Sequence, residues 1–273
     1  MESEVANNGI CLSVFTAGVG TPILFIQGVG LPGAGWKPQT DALQQGYSCI
    51  WFDNRGTGST TAPLDSITVD RMADDCLQIL NARSIDRAHV VGHSLGGLVA
   101  LKLALSQPTR LRSLSLLCSF ASGKAAAPLT RRMVWLGIRS RVGTRRMRRR
   151  GFLGIVLSPA GLVAADTDEV SERLALLFGH DLADQPPIVN RQLAAMRQCD
   201  LSARLGELAA IPTLIVSAEH DPIAPPKLGR AMAAQIPGAR FVELPGVSHG
   251  VPIEFPSQIN DLLSSHFEAI DTP

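Results

Sequence analysis

The stretch from Ala88 to Leu105, AHVVGHSLGGLVALKLAL, restricts this chain more than any other. Its opening run, Ala88-His89-Val90-Val91, is short and apolar, as a buried strand is. The run meets Gly92-His93-Ser94-Leu95-Gly96-Gly97, after which Leu98, Leu101, Leu103 and Leu105 carry a helical pattern. A strand, a sharp turn with serine at its apex and a helix form the setting of a nucleophile elbow. Gly92 and Gly96 flank the serine where side chains would collide as strand and helix close on each other. The helix would aim its N-terminal amides and positive dipole end at the serine, where negative charge would develop.

On both sides of this stretch, apolar runs alternate with helical patterns. Ile10 to Thr16 reads as an edge strand or hairpin ending at Gly18, Gly20 and Pro22. Pro22 to Ile26 is wholly apolar, like a strand covered on both faces; a glycine-rich turn, Gln27 to Gly33, and a helix over Trp36 to Gln45 follow. A strand over Ser48 to Phe52 ends in Asp53-Asn54-Arg55-Gly56-Thr57-Gly58-Ser59, and a helix spans Val69 to Ala82. Leu114 to Cys118 is a further strand. From Gly123 to Cys199 only helix-like segments broken by glycine and proline appear. Alternation resumes with a strand over Pro212 to Ser217, a helix near Lys227 to Gln235, a strand over Arg240 to Leu244 and a helix over Pro256 to Ala269. Strands separated by helices imply right-handed crossovers, hence an α/β fold with a mostly parallel twisted sheet flanked by helices. The core would comprise residues 1–122 and 200–273, with a helical segment, residues 123–199, inserted after the sixth strand.

With 273 residues, 45% of them apolar, the chain can bury a substantial core, and its net charge of +1 gives no reason to expect a nucleic-acid partner. The five cysteines (Cys11, Cys49, Cys76, Cys118, Cys199) are odd in number and form no C-x-x-C pair, and three lie inside apolar runs. Buried free thiols fit a reducing compartment. The polar opening MESEVANNG lacks the pattern of a signal peptide, and no apolar run reaches the roughly 18 residues of a membrane span, so a cytoplasmic location is expected. The histidines and cysteines lack metal-ligand spacing, and neither metal nor cofactor is expected.

Alone, G-x-S-x-G is a weak pattern. Two later residues strengthen it. Asp221, in Ala218-Glu219-His220-Asp221-Pro222, follows one strand, and His249, in Pro245-Gly246-Val247-Ser248-His249-Gly250, follows the last. Ser, Asp, His is the chain order of a triad built on an elbow of this kind, and all three fall at carboxyl ends of strands, where open α/β sheets place their sites. His249 would take the Ser94 proton, and Asp221 would fix the imidazole tautomer and stabilise the imidazolium. The Leu95 amide would meet the developing oxyanion. Asp53 and Arg55 read as loop-bracing residues. A rival lies in Gly28-Val29-Gly30-Leu31-Pro32-Gly33, a literal G-x-G-x-x-G with Asp53 ending the next strand, which is the dinucleotide fingerprint. Pro32 offers that ligand no N–H, and the rival leaves Ser94, Asp221 and His249 without a role.

These pieces together resemble the α/β-hydrolase superfamily: Gly28, the Asp53–Ser59 loop, the Gly92–Gly97 elbow, Glu219-His220-Asp221-Pro222 and Ser248-His249. The resemblance implies that the insertion is a cap over the pocket and that the Val29 amide is the second oxyanion donor. It also implies hydrolysis of ordinary carboxylic esters and not of bulky tertiary-alcohol esters. Many members carry histidine before the oxyanion-loop glycine; this chain has Gln27, and because the donor is a backbone amide hydrolysis stays open to it.

The expected activity is that of a carboxylesterase acting on a small to medium hydrophobic ester through an acyl-enzyme on Ser94. Lactone or thioester hydrolysis, C–C bond hydrolysis and acyl transfer use the same triad, and a non-catalytic ligand receptor would keep the same fold. Between Arg131 and Arg150 lie nine arginines and no acidic residue. Interleaved with Trp135, Ile138 and Phe152, they read either as the solvated face of a cap or as a weak contact for an anionic membrane surface or an acidic protein.

Overall fold

The computed structural model describes residues 2–126 and 130–272; the Arg132 side chain lies outside the described set. Eight strands make one sheet: β1 (Glu2–Asn7), β2 (Ile10–Ala17), β3 (Thr21–Ile26), β4 (Tyr47–Phe52), β5 (Ala88–His93), β6 (Leu111–Leu117), β7 (Thr213–Ala218) and β8 (Arg240–Leu244). Their spatial order is β1-β2-β4-β3-β5-β6-β7-β8, with β1 and β2 antiparallel to their neighbours and every pair from β4 to β8 parallel. The α/β fold with a mostly parallel sheet is as expected. β1 is an addition to the sequence reading: it lies at the edge, buries only Val5 and Asn7, and so carries little hydrophobic signal.

The helices are α1 (Lys37–Leu43), α2 (Val69–Ala82), α3 (Leu95–Ser106), α4 (Arg131–Arg139), α5 (Arg145–Val156), α6 (Pro159–Ala164), α7 (Thr167–Phe178), α8 (Ile188–Gln198), α9 (Pro226–Gln235), α10 (Val251–Glu254) and α11 (Pro256–Asp271). Because side chains alternate along a strand, the sheet divides its apolar residues between two cores. Leu24, Ile26, Val90, Leu114 and Leu116 pack with α2 and α3; Ile23, Phe25, Val91, Leu117 and Val216 pack with Leu43 of α1 and Ile259, Leu263 and Phe267 of α11. On α2, Val69, Met72, Ala73, Cys76, Ile79 and Leu80 form the buried stripe, and the Thr68 hydroxyl accepts from the Arg71 amide to cap it. Cys49, Cys76 and Cys118 are buried free thiols.

Helices α4 to α8 lie between β6 and β7. They have a small core of their own, Leu153, Leu174, Phe178 and Leu182, to which Leu31 of the β3–α1 loop contributes. Charge does the rest. Arg145 bonds Asp184 at 2.7 Å and lies 3.2 Å from Asp181, Arg146 pairs with Asp168, and Arg149 bridges Asp168 at 2.9 Å and Asp181. Four of the five α5 arginines thus pair with acidic residues in and around α7, while Arg150 bonds the Thr167 hydroxyl. Among the described residues, no helix is long and apolar enough to cross a membrane.

Candidate active site

Parallel register brings the strand ends that matter together. Ile26 of β3 pairs with Gly92 of β5, Leu117 of β6 with His93 and Val216, and Ala218 of β7 with Leu244 of β8. The loops that follow these ends carry Gln27 to Gly30, Ser94, Asp221 and His249 on one edge of the sheet.

Ser94 closes the β5–α3 turn with φ 56° and ψ −119°, a conformation that costs roughly 1–3 kcal/mol for a residue with a side chain. Neighbours hold it there. Its amide donates to Leu117 O at 3.0 Å, and its carbonyl accepts from Ser119 Oγ at 2.8 Å and Gly97 N at 3.0 Å. A methyl on Gly92 would strike the Gly96 carbonyl oxygen, and one on Gly96 would strike that of Ile26, so helix and strands meet backbone to backbone.

Asp221 and His249 are joined: His249 Nδ1 donates to Asp221 Oδ2 at 2.7 Å. The other carboxylate oxygen accepts from the Ile223 and Ala224 amides, both at 2.8 Å. Burial pushes the Asp221 pKa up, but the His249 charge, its hydrogen bond and these amides together hold the carboxyl below its ordinary value. The neighbouring acid, Glu219, is exposed and accepts from the Gly246 amide at 2.8 Å, which removes it as a competitor for His249. This bond engages Nδ1 and leaves Nε2 as the ring nitrogen open to a reaction partner. Ser94, Asp221 and His249 are each about 95% buried (5%, 4% and 5% exposed), and no hydrogen bond links the Ser94 hydroxyl to His249 among the described residues.

Three supports were not evident in the sequence. His93 lies against His249, ring centroids 4.8 Å apart and planes tilted by 44°, and donates from Nε2 to the His249 carbonyl at 2.9 Å. Burial, then the His249 charge, lower its pKa to about 3, so it is a neutral prop. Gln27 Oε1 accepts from the Gly28 amide at 2.8 Å, and Asn54 Nδ2 donates to Gln27 O at 2.9 Å; the residue that departs from the superfamily pattern therefore braces the loop itself. Finally, Gln192 of α8 is fully buried between two loops: its Oε1 accepts from Gly30 N at 2.7 Å and its Nε2 donates to Arg55 O at 3.2 Å. No pattern in sequence pairs residues 162 positions apart, so Gln192 had no signal.

The Val29 amide lies between Gly28 and Gly30, and the Leu95 amide stands in the first turn of α3, where no intrahelical acceptor exists. Among the described residues neither meets a protein acceptor. The glycine-rich loop is a poor cradle for a pyrophosphate. Its Gly28, Gly30 and Gly33 amides are engaged by Gln27, Gln192 and Asp53, the last at 2.8 Å. Asp53 also accepts from Ser59 N at 2.8 Å, and Arg55 bonds Asp75 at 2.5 and 2.7 Å with both side chains buried, so both residues brace loops. Ligand atoms of His93, Cys118 and His249 come within 4.8 Å of one another. Burial, then the Asp221 charge, push the Cys118 thiol well above its ordinary value, which disfavours the thiolate that a metal ion would need.

A family model described as "Alpha/beta hydrolase family" matches residues 23–262, from within β3 into α11, and so takes in the parallel part of the sheet. The chain belongs to the alpha/beta hydrolase family. The putative carbamate hydrolase RutD of Variovorax paradoxus is 31% identical over 261 residues, covering 93% of this chain and 94% of that protein. Among solved structures, a thermophilic esterase from Thermogutta terrifontis superposes with TM-score 0.81 at 26% identity over 100% of both chains. An N-acyl homoserine lactone degrading enzyme superposes with TM-score 0.79 at 27% identity, covering 96% of this chain and 99% of that one. Within this family the strand order, the elbow and the helices between β6 and β7 account for the architecture of the chain.

Proposed function

We propose that this α/β hydrolase is a serine hydrolase that cleaves a carboxylic ester of a small to medium hydrophobic substrate through an acyl-enzyme. The observation that carries the reading is the 2.7 Å Asp221–His249 bond beside a strained serine at the head of α3. Ser94 Oγ attacks the substrate carbonyl while its proton passes to His249 Nε2. Asp221 stabilises the imidazolium. The Val29 and Leu95 amides take the oxyanion, a contribution of about 2.7–4 kcal/mol per donor. His249 then protonates the departing alkoxide, and a water, deprotonated by the same nitrogen, releases the acid and restores Ser94. The serine–histidine hydrogen bond forms as substrate settles, as apo sites often require. Helices α4 to α8 act as the cap: α5 holds the histidine loop through Gly250 N to Val156 O at 2.7 Å, and α8 holds the oxyanion loop through Gln192.

A fluorophosphonate probe should label the wild-type protein and leave Ser94→Ala unlabelled, with p-nitrophenyl ester turnover lost in parallel. Absence of both labelling and turnover in the wild type would sink the reading. The naming of the Variovorax relative favours one further arm, a carbamate, in which the acyl carbon bears nitrogen and the same triad operates. If carbamates or lactones turn over at higher kcat/KM than matched esters, the ester assignment gives way while the Ser94 mechanism stands.

A further inference from the structure

We propose that the outward face of α4 docks this protein on an anionic lipid bilayer. Helix α4 is amphipathic in the reverse of the usual sense. Leu136 is buried, while Val134, Trp135, Ile138 and Val142 just beyond the helix are 47%, 58%, 55% and 62% exposed. Positions 131, 134, 135 and 138 lie on one side of the helix, and Val142 follows just past its end. A soluble helix normally turns such a stripe inward, and a contiguous exposed one marks an interaction surface.

Charge identifies the partner. Seven arginines of the stretch divide into two groups, with Arg150 bonded to the Thr167 hydroxyl and the Arg132 side chain outside the described set. Arg145, Arg146, Arg148 and Arg149 on α5 are paired with Asp166, Asp168, Asp181 and Asp184. Arg131, Arg139 and Arg141, which flank the apolar stripe, have no acidic partner among the described residues, and Arg139 lies over the Trp135 ring, 5.7 Å from its centroid. An indole and branched aliphatic side chains bordered by unneutralised guanidinium groups match the two layers of an anionic membrane interface, acyl boundary and headgroups. A second copy of the chain fits less well, because it would bring the same three arginines against themselves. The surface belongs to the insertion that covers Ser94, so docking would bring the cap to the bilayer where hydrophobic esters partition.

The test is co-sedimentation of the whole protein with vesicles of phosphatidylcholine alone and with phosphatidylglycerol added, at low and high salt. The expected result is retention on the anionic vesicles only, weakened by salt. Removing one charge by Arg139→Gln or Arg141→Gln should lower the partition about fivefold. Trp135→Ala combined with Ile138→Ser should lower it further, with ester turnover and melting temperature in solution unchanged. Leu176→Ser, at a still more exposed position on α7, should bind like the wild type. No retention, equal retention on neutral vesicles, or indifference to the α4 variants overturns the proposal. So does a concentration-dependent dimer abolished by the same variants, which would assign the face to a second copy. Ser94→Ala protein should bind vesicles normally, so failure of the catalytic reading and failure of this one are separable.

Discussion

The sheet and the helical insertion are held together by opposite means. At the sheet edge the parts meet backbone to backbone: a methyl on Gly96 would land on the Ile26 carbonyl and lie 2.8 Å from that of Gln27. In the insertion one such contact recurs, Gly151 of α5 against the backbone of Arg139 and Ser140, and a small apolar core lies behind it, but α5 is tied to the α7 region chiefly by long, charged side chains, and α4 leaves apolar side chains outside. The first arrangement fixes atoms to within tenths of an ångström, as a nucleophile and its oxyanion donors need. The second leaves room where α4 turns an open side outward, as at Gly137. One substitution made in both regions exposes the difference. Gly96→Ala should be the most damaging change considered, at or beyond the ~1–3 kcal/mol of ordinary overpacking, because only backbone could yield. Gly137→Ala, in the interior of α4 with nothing within 4 Å of the added methyl, should leave stability unchanged or raise it by about 0.5–1 kcal/mol through helix propensity. Thermal melts of the two variants check this; similar melting temperatures would mean that the insertion is packed as tightly as the sheet.

Gln192 is one point where the two regions meet, which makes it a sharp probe of whether the insertion shapes the loop after β3. Gln192→Leu keeps the volume but removes the acceptor for Gly30 N and the donor to Arg55 O. If α8 positions the oxyanion loop, kcat should fall by up to ~10²-fold, the cost of a small misplacement, with little change in KM. The pH–rate profile should keep its shape, since His249 is untouched. A loss confined to KM would reduce Gln192 to part of the pocket wall.

What the sequence disclosed divides along the same line. Ser94, Asp221 and His249 were legible because each sits directly after a strand whose apolar run is itself readable, so position along the chain implies position in space. Helix α2 and strand β8 were legible to the residue for the same reason. β1 was not, because an edge strand with Val5 and Asn7 as its only buried residues has almost no pattern to read. His93 stood at the elbow's variable position between Gly92 and Ser94 with no role assigned to it, yet its ring supports the His249 loop across 156 positions. The arginine stretch was the most visible bias in the chain and was read as one surface. Only the fold could separate it, since the acidic partners of α5 lie up to 39 residues downstream. Local periodicity reports on burial; it says nothing about which distant charge or carbonyl a polar side chain will find.

Acid separates the two regions more gently. His93 and His266 are buried neutral, with pKa lowered from 6.5 to about 3 and about 4, first by burial. Since the unfolded chain takes up these protons near 6.5, their contribution to sheet stability is complete above that pH and is lost progressively as pH falls towards the folded values. Asp181 in the insertion has its pKa lowered from 3.8 to about 2, chiefly by its hydrogen bond from Arg149. Its contribution is present in full above 3.8 and is lost only as pH falls from there to about 2. The wild-type melting temperature should therefore begin to fall below about pH 6.5, through the sheet. Arg149→Ala, which removes the partner of Asp181, should melt below the wild type by a constant margin from pH 7 to 4, and the margin should close only at lower pH. A margin that shrinks between pH 7 and 5 would show that the insertion's ion pairs do not set its stability, and the contrast between a sheet held by backbone fit and an insertion held by charge would fail.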